Sequence, residues 1–224
     1  MYCVIMGDIV KSKNLDSISY DRLICAAKEA FARVNDKYKE NIMASFGLVR
    51  GDAFEGVLYT QDNATQIVQD IIKAFYRADK TTIRICAVLG ELTMTSSNRN
   101  ETNGPAFHRA LDILGEMKKS GNKNWMQVSF EIGAFGKSLV NSNLALLSAL
   151  TERWTDRQRE IVWATEENDG IRKTISKMFG IMPPVVSRHL KIAKYDIYRQ
   201  AWNSLTEHFA TVEDYITKQE GESL

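Results

Sequence analysis

A change of period along the chain limits the folds open to it more than any single motif. Up to about residue 133, short β-rich apolar runs alternate with segments of helical spacing. From about Leu144 onward the strand signal is gone and only helical periods remain. Residues 2–6 read as a strand buried on both faces, ending at Gly7-Asp8. Residues 17–38 place Leu23, Ala26, Ala27, Ala30, Phe31 and Val34 on one stripe of a helix. Two apolar runs parted by Arg50-Gly51-Asp52 predict a hairpin over residues 41–59. A helix capped by Asp62 or Asn63 runs to about Tyr76, and residues 81–89 form a strand. Residues 93–103 read as an exposed loop, Gly104-Pro105 opens a helix, and residues 124–133 supply one more strand.

This β-α-β-β-α-β order, with a further helix and strand, is the ferredoxin-like pattern: an α+β domain whose helices cover one face of a mostly antiparallel sheet. The likeliest boundary is residues 136–143, dividing the chain into a domain at 1–140 and an all-α domain at 144–224. The net charge of +1 over 224 residues excludes a polyelectrolyte, so any nucleic-acid surface must be local. Three scattered cysteines, Cys3, Cys25 and Cys86, read as small buried hydrophobes in a reducing compartment. Three scattered histidines argue against a His/Cys metal cluster. No apolar stretch approaches a membrane span, so a cytoplasmic protein with no membrane partner is expected.

Two carboxylates stand where strands should end: Asp8 in Gly7-Asp8-Ile9-Val10 and Asp52 on the hairpin turn, with Glu55 further along the return strand. If they converge, their repulsion is relieved by a divalent cation that also polarises a phosphate. Lys11, Ser12 and Lys13, with Arg50, are the candidates for holding a nucleotide's phosphates. The plainer alternative is that each Asp caps its own turn.

A second informative stretch, residues 174–190, has the layout of a helix-turn-helix. Ser176 sits where two helices cross, Gly180 takes the left-handed turn, and Pro183 starts the second helix, while Ile175, Ile181, Val186 and Leu190 close a small core. Pro184, Ser187, Arg188 and Lys191 then point outward. Residues 171–200 hold seven bases, among them Arg172, Lys173 and Lys177, against the single acid Asp196, a local +6 suited to DNA phosphates. The alternative is a solvated basic face, or one that docks on a partner protein.

Residues 1–135 resemble the class III nucleotidyl cyclase domain. Asp8-Ile9-Val10 matches its first metal-binding motif and Gly51-Asp52-Ala53 its second. The resemblance implies a palm-like fold, Asp8, Ile9 and Asp52 as metal-binding residues, and Mg²⁺ or Mn²⁺ as the ion. It departs at the late helix, where His108 (Phe107 if the register slips) and Asp112 stand in place of the family's Asn and Arg. Over its full length the chain resembles the bacterial SatD family, through Gly7-Asp8-Ile9-Val10-Lys11-Ser12, Arg50-Gly51-Asp52-Ala53-Phe54 and the helix-turn-helix. The expected function is a DNA-binding transcription regulator, working as a homodimer, that joins a metal- and nucleotide-binding domain to a helix-turn-helix. The alternative is a metal-dependent enzyme acting on nucleoside triphosphates, and a third possibility is an interaction module with neither activity.

Overall fold

The computed structural model describes residues 1–10, 16–49, 51–96, 101–121, 125–132 and 136–221, with side chains through residue 212. Its order is β1 (Tyr2–Ile9), α1 (Ser17–Lys37), β2 (Ile42–Leu48), β3 (Ala53–Leu58), α2 (Ala64–Asp79), β4 (Ile83–Gly90), α3 (Pro105–Lys119) and β5 (Met126–Glu131). Helices then follow without interruption: α4 (Lys137–Glu152), α5 (Asp156–Glu167), α6 (Arg172–Phe179), α7 (Pro183–Ile192) and α8 (Tyr195–Gly221). The fold is mixed α+β around a five-stranded sheet of order β2-β3-β1-β4-β5. All neighbours are antiparallel except β4 and β5. No helix among the described residues is long and apolar enough to cross a membrane.

The strand β1 is central because its apolar run supplies both faces. Cys3, Ile5 and Ile9 join the core beneath α1 and α2. Val4 and Met6 face the other way, against Ala106, Phe107, Ala110 and Ile113 of α3. Helices therefore cover both faces of the sheet, not one. The expectation that β1 ends at Gly7 is also corrected. Gly7 lies within the strand, where a Cβ would come 2.2 Å from the Phe54 ring and 2.5 Å from the Arg84 carbonyl oxygen. Glycine makes room there for Phe54, which packs against Phe31 and Phe75. Cys25 is exposed, because it falls off the buried stripe of α1.

Both outer strands are closed by an asparagine from a neighbouring helix. Asn35 of α1 accepts from the Phe46 N–H at 2.8 Å and donates to its carbonyl at 2.9 Å. Asn141 of α4 does the same for Phe130, at 3.0 and 2.8 Å. Each amide imitates a further strand, satisfying groups that would otherwise template edge-to-edge pairing. The expected boundary at residues 136–143 falls in the first turns of α4, and one hydrophobic cluster runs from Cys3 through Leu144 and Trp163 to Phe209. The helix α2 is tied to α5 by Arg77 with Glu160 and Glu167, and by Tyr76 with Asp156 at 2.6 Å.

Candidate functional site

Asp8 sits in a row that crosses four strands: Ala53 on β3, Asp8 on β1, Arg84 on β4 and Gln127 on β5. Residues directly opposite in paired strands share a face, and for this row it is the α3 face. The Asp8 side chain is only 6% exposed. Its Oδ1 accepts from Arg84 Nη1 at 2.9 Å, and its Oδ2 lies 2.5 Å from Lys118 Nζ at the end of α3. Oδ2 is buried and has no aligned hydrogen-bond donor among the described residues, so the Lys118 contact is Coulombic. A buried carboxylate is costly without a cation, and here two of them offset that cost. The buried Glu55, opposite Met6, stands one position along on the same face.

Asp52 is half-buried in the turn between β2 and β3. The Ile9 N–H donates to the Asp52 carbonyl at 3.1 Å, and the adjacent Ala53 faces Asp8. The backbone thus brings positions 8 and 52 together across a sequence separation that only the sheet closes. The Ile9 side chain is buried in the core beneath α1 and α2. Lys11, Ser12, Lys13 and Arg50 lie outside the described residues.

On α3, His108 and Asp112 are exposed. Between them Arg109 forms a fork with Glu131 of β5, two bonds at 2.8 Å, and Lys137 pairs with the same carboxylate. The Arg109 hydrogen bonds, helped by Lys137, hold the Glu131 carboxyl down at about 2.

In the helical half, α6 and α7 meet across Gly180, whose φ is +62°. Ile175, Val186 and Leu190 are buried between them, and Ser176 Oγ donates to the Ile181 carbonyl. Lys173, Lys177, Pro184, Arg188 and Lys191 are exposed. Ser187 is half-buried and is joined at the surface to the exposed Arg172. Arg172 Nη1 donates to Ser187 Oγ at 3.0 Å, and that hydroxyl donates back to the Pro183 carbonyl at 3.2 Å. A helical serine readily bonds the carbonyl four residues earlier, which leaves its oxygen as an acceptor for the guanidinium.

The sequence motifs miss Arg84 and Lys118, which hold Asp8. Arg84 carried a signal, being a lone charge inside the apolar run Ile83-Arg84-Ile85-Cys86. Lys118 carried none. Arg159 was also missed. Its guanidinium lies 4.0 Å from the Trp125 ring centre and 4.6 Å from that of Tyr76, with Nη2 donating to the Thr151 carbonyl at 2.8 Å. Burial lowers its pKa from the usual arginine range, and the two rings supply much of the cation's solvation.

Solved structures similar to this chain include the guanylate cyclase domain of RhGC from Catenaria anguillulae in complex with GTP. It is 16% identical, with a TM-score of 0.39 over 57% of this chain and 77% of that one. The dimeric guanylyl cyclase domain of the RhoGC fusion protein from Blastocladiella emersonii is also 16% identical, with a TM-score of 0.42 over 57% and 78%. A regulator of polyketide synthase expression from Bifidobacterium adolescentis spans 94% of this chain and 79% of its own, at 9% identity and a TM-score of 0.26. No curated protein sequence matches the chain. The family model described as "SatD family" matches residues 2–208, almost the whole length, and the chain belongs to the SatD family.

Proposed function

We propose that the sheet-bearing half, residues 1–140, binds a nucleoside triphosphate together with Mg²⁺ or Mn²⁺ at the Asp8–Asp52 end of a ferredoxin-like, cyclase-type scaffold. The observation that carries this is the meeting of positions 8 and 52 through the Ile9–Asp52 hydrogen bond, beside a buried carboxylate oxygen without an aligned donor among the described residues. Among the described residues no cluster of three or more His, Cys, Asp or Glu could cage a metal. That suits Mg²⁺, which commonly binds one or two carboxylates and takes its other oxygens from phosphates and water. Asp8 and Asp52, with the Ile9 carbonyl, would hold the ion, and Lys11, Ser12, Lys13 and Arg50 the phosphates. When bound, the cation supplies charge neutralisation at the phosphate oxygens. Ring closure of the nucleotide is not included, because the resemblance puts His108 (Phe107 if the register slips) and Asp112 where the cyclase Asn and Arg would stand.

Thermal melting tests the proposal. A triphosphate at about 100 times its Kd adds about 2.7 kcal/mol, which for a chain of this size raises Tm by roughly 5–10 °C. The shift is expected with Mn²⁺ and a triphosphate present and is expected to vanish in Asp52→Asn. No shift with any of the four common triphosphates, or one that survives Asp52→Asn, refutes it.

A second function is favoured by the exposure of Pro184, Arg188 and Lys191 on α7 after the left-handed Gly180. On this view α6 and α7 are a helix-turn-helix, residues 144–224 bind duplex DNA in a homodimeric transcription regulator, and Lys173 and Lys177 with Arg172 and Ser187 add contacts. Arg188→Ala and Lys191→Ala should weaken duplex binding and each flatten the salt slope by about 1; absence of binding at low salt ends this view.

A further inference from the structure

The helical half has an open surface cavity of about 630 Å³ between the end of α5, α6, α7 and the start of α8. Its wall carries four cations, Arg172, Lys191, Lys194 and Arg199, against one carboxylate, Asp196. Beneath them Thr165, Leu190 and Tyr195 are buried. Among the described residues, none of the four cations stands within ion-pair distance of a carboxylate. The contrast with α2 is direct: Lys73 pairs with Glu166, Arg77 with Glu167, and Lys80 just past its end with Asp156. Charge on that helix is paired across the interface, whereas among the described residues the cavity's cations make no such ion pair, and Arg199 feels Glu166 at longer range. At the rim of the cavity the exposed Arg172 reaches across from α6 to Ser187 of α7 through their hydrogen bond. Four like charges around one concavity repel, and an anion seated among them relieves that repulsion.

We infer that this cavity binds a small organic diphosphate, independently of the Asp8–Asp52 end of the sheet. The volume falls within the range of small-ligand sites. The cations suit the phosphates, with Arg172 and Arg199 offering forked donors and the lysines point charges. The exposed Ile197 side chain on the same wall gives the organic body an apolar surface, and Arg199 already lies 5.5 Å from the ring centre of the buried Tyr195. Asp196 would turn away a fully anionic ligand from one side of the wall and so fix its orientation. A duplex backbone meeting the same side chains from outside is the rival occupant, and its chemistry is separable by size.

Calorimetric titration of the full chain at low salt, with EDTA to silence metal-dependent binding, tests the inference using ADP and inorganic pyrophosphate. Both are expected to bind one per chain, with ADP at least as tight as pyrophosphate. The variant Lys194→Gly/Arg199→Gln is expected to bind at least about tenfold more weakly, since it removes two charge-assisted contacts. Lys194 has φ +55°, so glycine there relieves backbone strain, and a melting curve verifies the fold. Asp8→Asn is expected to leave the titration unchanged, which separates this site from the proposed metal site. No heat from either probe, equal affinity in the double variant, or binding of pyrophosphate but not ADP overturns the inference. So does tight binding of a duplex that involves the same side chains and is not displaced by ADP.

Discussion

Replacing Lys118 by Met should make the Asp8 end of the sheet a better cation site. The Lys118 ammonium lies 2.5 Å from Asp8 Oδ2, the oxygen a metal would need, while its side chain is 55% exposed. A bond to a charged group in a buried setting is worth about 1.5–3 kcal/mol, and an exposed ion pair about 0–1 kcal/mol. A half-exposed lysine without hydrogen-bond alignment falls near the lower boundary, at about 1 kcal/mol. A cation entering at Oδ2 must displace that contact, so its removal should tighten binding by about fivefold, with 1.4 kcal/mol per factor of ten. Loss of the like charge beside the ion acts in the same direction. Met keeps the length and apolar stem of Lys, and Arg84 still holds Oδ1, so the fold should lose no more than about 1 kcal/mol. Calorimetric titration with Mn²⁺ measures the effect, with Asp8→Asn as the variant in which binding is lost. Mn²⁺ affinity that is unchanged or weaker in a folded Lys118→Met protein refutes the reasoning, because Lys118 would then not occupy the ion's position.

Two predictions concern the framework around the site. Asn35→Ala and Asn141→Ala each strand one N–H and one C=O at an outer strand and should each cost about 2–4 kcal/mol, read as a lower urea midpoint at unchanged slope; a loss under about 0.5 kcal/mol would show that water replaces the amide. Acid should weaken the α3–β5–α4 junction through Glu131. Its folded pKa, about 2, is below the unfolded carboxyl's, so its contribution is complete above about pH 5 and is lost as pH falls toward 2; Glu131→Gln should flatten the stability curve in that window, and an unchanged acid limb would rule the pair out as its source.

The change from strand periods to helical ones is local, and the elements it implies form close to where the patterns lie. The β1 run was legible as buried on both faces because its apolar residues have no polar alternation. The α6–Gly180–α7 turn was legible because a left-handed glycine and a proline at the start of α7 are chemical requirements of the backbone itself. What surrounds Asp8 was not legible in the same way. A residue's face follows from its period, whereas its neighbour on that face depends on how strands are ordered and where a helix lands. Arg84 reaches Asp8 across 76 positions because β4 happens to lie beside β1, and Lys118 reaches it from a helix on the face expected to be bare. Asn35 and Asn141 are ordinary polar residues until two edges need closing. The chain alone determined the elements and the positions able to carry charge; only the tertiary structure decided which charges meet, because Coulombic and hydrogen-bonded partners are chosen by distance in space.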